Sequence, residues 1–211
     1  MNPELQRQLP VLRRAAQAQP LGLYLHVPFC LDRCTYCSFA TTRDRSLQPD
    51  TVRRLLSDTT QWGAALGRPA VDTLYLGGGT PSLLSPTELN ALTGAIRQAF
   101  DLTPLVEATL EANPGTVDLA WLRQARELGW DRISLGVQAL DDVLLARLGR
   151  IHGSVQALEA LDLAERAGFH RRSAAWYSER FRKAGLVRCG LHCHIGPNFE
   201  GTVAALERAE L

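Results

Sequence analysis

Short apolar runs alternate with helical patterns along the chain from about residue 21. The apolar runs predict four strands, LGLYLHV (21–27), VDTLYLGG (71–78), VEATLEAN (106–113) and DRISLGVQ (131–138). The periodic segments between them predict helices over Thr51–Leu66, after Ser85, and over Leu119–Leu128. A strand and a helix therefore recur about every 25 to 35 residues, which is typical of a parallel sheet with right-handed crossovers.

Two helix boundaries are marked by their residue types. Ser85 is placed to cap a helix, Pro86 suits its first position and Glu88 follows three residues after the cap. Gly129 closes the helix that ends at Leu128. We therefore predict an α/β fold, a partial (β/α) barrel that is truncated, with an open doubly wound sheet as the alternative. In both folds the chemistry gathers at the carboxyl ends of the strands.

Composition and charge narrow the class of protein. The chain has 211 residues, 45% of them hydrophobic, which suits one α/β domain with a buried core. Its 23 basic and 22 acidic side chains give no basic field, so we expect neither nucleic acid nor an anionic membrane as partner. Residues 1–20 form a polar N-terminal extension without the apolar stretch of a signal peptide, and no run is long enough to span a bilayer. We expect a cytoplasmic protein.

Three of the five cysteines, Cys30, Cys34 and Cys37, lie within eight residues directly after the first predicted strand. Such spacing favours metal or redox chemistry in a reducing compartment over a disulfide framework. Three thiolates suit three irons of a cubane and leave the fourth iron open to a small molecule. A structural zinc site normally has four protein ligands. Zinc stays as an alternative, with His192, Cys193 and His194 as distant ligands.

The segment YLHVPFC-x3-C-x-Y-C resembles the cluster loop of radical S-adenosylmethionine proteins of the oxygen-independent coproporphyrinogen III oxidase group. The resemblance runs from about Leu21 to Gly168. It implies a [4Fe–4S] cluster on the three cysteines and S-adenosylmethionine at the open iron. It also implies that the reduced cluster passes an electron to the sulfonium, which gives methionine and a 5′-deoxyadenosyl radical.

The resemblance implies cofactor contacts at Tyr24, Tyr36, Gly78, Gly79, Thr80, Glu111, Gln138 and Arg150. The resemblance also implies that the segment GGGTPS (77–82), at the end of the second strand, contacts the methionine moiety. It implies further that Glu111, at the end of the third strand, binds ribose, and we expect Gln138 to end the fourth strand. Without the resemblance, Glu111 would be interpreted as a solvated loop carboxylate and Arg150 as surface charge. His26 also matches a family position, although a strand histidine is more often a packing residue.

Phe39, two residues past Cys37, separates two branches of the family. The oxidases carry a further cysteine there, in the pattern C-x3-C-x2-C-x-C. The phenylalanine resembles the oxidase-like haem chaperones, which bind haem and deliver it to respiratory proteins. We therefore prefer a haem chaperone, with a haem-accepting respiratory protein as partner. The alternatives are a radical oxidase acting on coproporphyrinogen III in porphyrin biosynthesis and a zinc-binding interaction module.

The resemblance stops after His170, and residues 171–211 form a divergent tail. A family aspartate that contacts the cofactor would fall near Ala174 or Ala175, and no acid replaces it. A short paralogue, a fragment and a shifted reading frame near residue 170 are the competing explanations. We favour frame disruption or truncation, because the similarity ends abruptly. Alternation along a strand would place Cys193 opposite its two neighbouring histidines, which divides that group.

Overall fold

The computed structural model describes residues 3–170, in which a four-stranded parallel sheet is covered by helices. The strands are β1 (Leu21–Val27), β2 (Val71–Gly78), β3 (Glu107–Ala112) and β4 (Arg132–Leu135). The helices are α1 (Pro3–Ala18), α2 (Gln48–Leu66), α3 (Pro86–Ala99), α4 (Leu119–Glu127), α5 (Asp142–Arg147) and α6 (Ser154–Arg166).

The strand order decides between the two predicted sheets. Neighbouring strands follow the chain, in the order β1-β2-β3-β4, and every pair is parallel. A doubly wound sheet reverses its order at a switch point, whereas a (β/α) barrel lays consecutive strands side by side. The predicted partial barrel is confirmed, and the doubly wound alternative is wrong for residues 3–170.

Alternating strand residues form one apolar face that packs against the helices. Its fully or almost fully buried members from the strands are Leu25, Val27, Leu74, Leu76, Ala108 and Leu110. Helices contribute Val52, Leu89, Leu92, Ile96, Trp121 and Leu122 to the same cluster. Burying a side chain of this size stabilises the fold by about 1.5–3 kcal/mol relative to leaving it exposed. The core therefore lies between the sheet and the helices. The strand residues that alternate with these core residues point to the opposite face of the sheet.

The predicted capping residues act as expected. The Ser85 hydroxyl accepts from the Glu88 amide at 3.2 Å, and the Ser85 amide donates to the Glu88 carboxylate at 2.7 Å, so α3 begins with a complete capping box. Asp118, which the sequence analysis did not single out, caps α4 by accepting from the Trp121 amide at 2.7 Å. Gly129 follows α4 with φ +87°, a conformation that favours glycine.

Several predicted boundaries differ from the structure. Helix α2 begins at Gln48, earlier than predicted, because its proline lies in the first turn, where no backbone N–H is needed. Strand β3 is shorter than predicted at both ends, and β4 ends at Leu135. After the Gly136 amide donates to Ala112 at 2.8 Å the chain turns away from β3. Helices α1 and α5 were not predicted.

Several predictions fall on residues outside the described range. These are the lost aspartate near Ala174 or Ala175 and the group His192, Cys193 and His194. The domain boundary at residue 170 stays a prediction. Within residues 3–170, every helix is too short or too polar to cross a membrane.

Candidate functional site

The cysteine loop leaves the carboxyl end of β1 and is closed at its base by backbone hydrogen bonds. The Cys30 amide donates to the Thr42 carbonyl at 3.0 Å, and the Thr42 amide donates to Pro28 at 2.8 Å. The Cys37 amide donates to the Cys34 carbonyl at 3.1 Å, which tightens the turn between them. All three thiols are free and half-buried. The three thiols thus lie on one loop that begins after β1 and is closed at its base by backbone hydrogen bonds.

The glycine run at the end of β2 lies against this loop. A Cβ at Gly79 would be 2.6 Å from the Phe29 carbonyl oxygen and 2.9 Å from Cys30 Sγ, so only glycine allows this approach. The Thr80 hydroxyl points to the same sulfur at 3.8 Å. Burial raises the pKa of the Cys30 thiol. The space beside Gly79, which a methyl group would fill, therefore lets the cysteine loop pack directly against the end of β2.

The donor set matches the predicted cluster in kind. Each cysteine provides one sulfur, the ligand of iron in a [4Fe–4S] centre. In the described part of the chain, no three Cys, His, Asp or Glu side chains gather closely enough to hold a single metal ion. As three single sulfur donors on one loop, the cysteines are candidate ligands for separate irons of one cluster, and that assignment stays a prediction.

Arg150 reaches back to the cysteine loop from the segment after α5. Its Nη1 donates to Cys34 Sγ at 3.1 Å, and its Nη2 donates to Asn113 Oδ1 at 2.5 Å and to the Gly136 carbonyl at 2.7 Å. Its Nε is buried and has no hydrogen-bond partner among the described residues. The interpretation of Arg150 as surface charge is therefore wrong. The side chain is half-buried at the strand ends, and its Nε–H is available as a donor.

Glu111 lies within β3, half-buried, and both of its carboxylate oxygens are held by β2. Oε1 accepts from the Tyr75 hydroxyl at 2.6 Å, and Oε2 accepts from the Gly78 amide at 3.0 Å. Burial, together with the neighbouring carboxylate, raises the pKa of Tyr75 well above its usual value. The interpretation of Glu111 as a solvated loop carboxylate is therefore wrong.

The tyrosines and the histidine near β1 have different environments. Tyr24 is 54% exposed, and its hydroxyl bonds His26 Nδ1 at 2.9 Å. His26 Nε2 contacts the Ala40 carbonyl at 2.8 Å, so both ring nitrogens are engaged, as expected for a packing histidine. Tyr36 is 38% exposed at the tip of the cysteine loop, and burial, helped by the adjacent Cys34, raises its pKa to about 12.

Gln138 does not end the fourth strand, contrary to the prediction. It lies three residues past the end of β4, with φ +65°, and its side chain is exposed. Its side-chain amide nitrogen, Nε2, would be 3.4 Å from a Cβ at Gly136. The structure therefore places Gln138 on the same loop as the backbone carbonyl that binds Arg150.

Sequence reasoning missed two residues that connect the site. Asn113 donates from Nδ2 to Thr80 Oγ1 at 2.8 Å and accepts from Arg150, so it joins the loops after β2 and β3 to the arginine. Tyr75 holds Glu111. The available signal was position alone, because Asn113 directly follows β3 and Tyr75 lies two residues before the glycine run.

A sheet with this order and a three-cysteine loop at its carboxyl edge defines the class of protein. The model of the radical SAM superfamily matches residues 24–176. The chain belongs to the radical SAM superfamily.

Individual proteins of this superfamily are similar to the chain in sequence. The chain is 40% identical over 151 residues to the heme chaperone HemW of Escherichia coli (strain K12), which covers 71% of this chain and 40% of that protein. It is 41% identical over 155 residues to HemW of Mycobacterium tuberculosis (strain H37Rv), which covers 72% and 40%. The mitochondrial radical S-adenosyl methionine domain-containing protein 1 of Bos taurus is 39% identical over 153 residues, which covers 72% and 35%.

A solved structure shows the same fold. The coproporphyrinogen III oxidase HemN from Escherichia coli, described as a radical SAM enzyme, matches with a TM-score of 0.66 and 23% identity. The match covers 83% of this chain and 44% of that chain. The chain thus spans about 40% of the length of the curated relatives it matches.

Proposed function

We propose that this chain binds a [4Fe–4S] cluster and S-adenosylmethionine as the cofactor-binding part of a haem chaperone. The observation that carries the proposal is the cysteine loop, with Gly79 packed against Cys30 Sγ and Arg150 donating to Cys34 Sγ. Membership of the radical SAM superfamily and 36–41% identity to heme chaperones support it.

The chain's own residues have separate tasks in this proposal. Cys30, Cys34 and Cys37 each bind one iron, and the fourth iron is left for the amino and carboxylate groups of S-adenosylmethionine. Arg150, with a buried Nε that lacks a partner, provides a fixed positive charge and a free donor for a carboxylate. Glu111 provides acceptor oxygens for ribose hydroxyls.

Further contacts to S-adenosylmethionine come from the remaining family positions. They are Tyr24, Tyr36, Gly78, Gly79, Thr80 and Gln138. The glycines contribute backbone surface, since a side chain at Gly79 would overlap the cysteine loop. The two tyrosines contribute half-exposed aromatic rings beside the loop and on β1.

The chaperone is favoured over the oxidase by Phe39. This side chain is 54% exposed and stands where the oxidase branch carries a further cysteine. We infer that haem and a haem-accepting respiratory protein are the partners of the full-length protein, as the names of the relatives suggest. Free clustered thiols favour a reducing compartment, and we therefore place the protein in the cytoplasm.

Anaerobic reconstitution with iron and sulfide tests the cluster. We expect brown protein with about four irons and four sulfides per chain. Cys34→Ser should lose the colour, whereas Cys189→Ser, which removes a cysteine outside the loop, should keep it. Stoichiometric zinc without colour would instead support a zinc-binding module.

Haem titration of the reconstituted protein tests the chaperone assignment. We expect a stoichiometric shift of the haem absorbance band. Production of 5′-deoxyadenosine with coproporphyrinogen III consumption, and no haem binding, would favour the oxidase. Chromatography of the same sample measures 5′-deoxyadenosine formed and coproporphyrinogen III consumed, and comparison with the haem titration separates the two functions.

A further inference from the structure

The Tyr75 hydroxyl makes the shorter of the two hydrogen bonds that Glu111 accepts from β2. The phenolic oxygen lies 2.6 Å from Glu111 Oε1, and the Gly78 amide lies 3.0 Å from Oε2. Both donors come from β2, and both acceptors belong to one carboxylate on β3. The carboxylate is thus held at two points, which fixes both its position and the plane of its oxygens.

Tyr75 itself is fixed in the sheet. Its ring lies 5.9 Å from the Tyr24 ring, centroid to centroid, and a Cβ at Gly77 would be 2.7 Å from its Cε1. The same Cβ would be 3.0 Å from Glu111 Oε2, so glycine at this position makes room for both side chains. With a tyrosine ring on one side and backbone on the other, the phenol has little freedom to leave the carboxylate.

Two donors do not saturate the carboxylate. Each oxygen of an ionised carboxylate can accept more than one hydrogen bond, so Oε1 and Oε2 each keep a lone pair for a ligand. Two adjacent acceptors with fixed spacing are suited to a vicinal diol, such as the 2′ and 3′ hydroxyls of ribose. A mobile carboxylate would have to be ordered on binding, at a cost in affinity.

We propose that Tyr75 is a positioning residue that orients Glu111 for the ribose diol of S-adenosylmethionine. The inference rests on the proposed function, because it needs S-adenosylmethionine as the ligand. Phenylalanine at this position would keep the ring and its contacts but would leave Oε1 without its donor. The role therefore belongs to the hydroxyl and can be separated from packing.

The test measures dissociation constants by anaerobic titration calorimetry on reconstituted full chain. The probes are S-adenosylmethionine and its 2′,3′-dideoxyribose analogue. The variants are Tyr75→Phe, Glu111→Ala and the double variant. Thr73→Val is the matched control, since it removes a hydroxyl from the same strand that bonds only Asp72, at 3.2 Å, among the described residues.

We expect Tyr75→Phe to weaken S-adenosylmethionine binding by about fivefold to tenfold, the effect of one ordinary hydrogen bond, because Tyr75 acts on the ligand only through Glu111. Binding of the dideoxy analogue should not change. In the Glu111→Ala background, Tyr75→Phe should cause no further loss, because the carboxylate that it orients is gone. Thr73→Val should bind both probes like the wild type.

Each other outcome has a distinct meaning. Equal weakening of both probes by Tyr75→Phe would assign the residue to packing and overturn the inference, as would no weakening of either. Wild-type protein that binds both probes equally would remove the diol contact and the inference, while leaving the cluster assignment intact. Wild-type protein with a cluster that binds no S-adenosylmethionine would overturn the proposed function itself.

Discussion

Replacing Gly79 with alanine places a methyl group inside the contact between β2 and the cysteine loop. The new carbon would lie 2.6 Å from the Phe29 carbonyl oxygen and 2.9 Å from Cys30 Sγ. Ordinary contacts between such atoms lie at about 3.5 Å or more. Phe29 is 1% exposed, and its bridge to Thr42 closes the loop, so the backbone oxygen has little room to withdraw.

The cost of this overlap follows from the packing around it. Overpacking a rigid site typically destabilises a protein by about 1–3 kcal/mol, and the backbone partner places Gly79→Ala in the upper part of that range. Gly79 does not have a positive φ, so no backbone strain adds to the effect. Because the displaced atoms include Cys30 Sγ, we also expect iron content after reconstitution to fall well below that of the wild type.

Urea denaturation followed by circular dichroism measures the first effect, and iron and sulfide analysis measures the second. Gly94→Ala is the control, because a Cβ there meets no atom within 4 Å. A Gly79→Ala variant with wild-type stability and full iron content would refute the reasoning. Lost stability with full iron content would show that the glycine serves packing and not the sulfur site.

Three further predictions concern stability, each measured by urea denaturation. Gly63→Ala makes a Cβ overlap the Ala99 carbonyl oxygen and should destabilise by about 1–2 kcal/mol, whereas Gly94→Ala, also in a helix, should stabilise by up to about 1 kcal/mol. Ser85→Ala removes the cap of α3 and should cost about 1 kcal/mol, with an unchanged m value. Burial lowers the pKa of His152, so protonation favours the unfolded state, and stability should fall as the pH drops below about 6.5. His152→Leu should lose less stability over that pH range, and an identical profile would contradict this assignment.

The elements with strong local signals could be predicted from the sequence. Strands β1 and β2 match their apolar runs, and α3 begins at its capping box because both partners are neighbours along the chain. Strands β3 and β4 are shorter than predicted, because the apolar pattern of each segment extends beyond the residues that pair with the neighbouring strand. Whether a strand continues depends on its partner, as the turn that gives Gln138 a positive φ demonstrates.

The contacts within the site could not be predicted, because they depend on register between strands. Tyr75 pairs with Thr109 in the β2–β3 register, which leaves Glu111 two residues further along, beside the glycine run. Nothing in either segment alone indicates that a phenol and a carboxylate meet. For Arg150, the resemblance gave the position, but the contacts to Cys34 and Asn113 come from the chain's return over the strand ends.

The strand order explains why motifs far apart in sequence meet. Hydrogen bonds join Cys30 to Thr80, Thr80 to Asn113, Asn113 to Arg150 and Arg150 to Cys34, so the path leaves the cysteine loop and returns to it. The first two steps connect segments that follow consecutive strands, and Arg150, after α5, returns the path to the loop after β1. With parallel strands in chain order, neighbouring loops lie about 4.8 Å apart at the sheet edge, within reach of one side chain. An order that did not place β3 beside β2 would separate Thr80 from Asn113, and the two sulfur contacts would lose their common support.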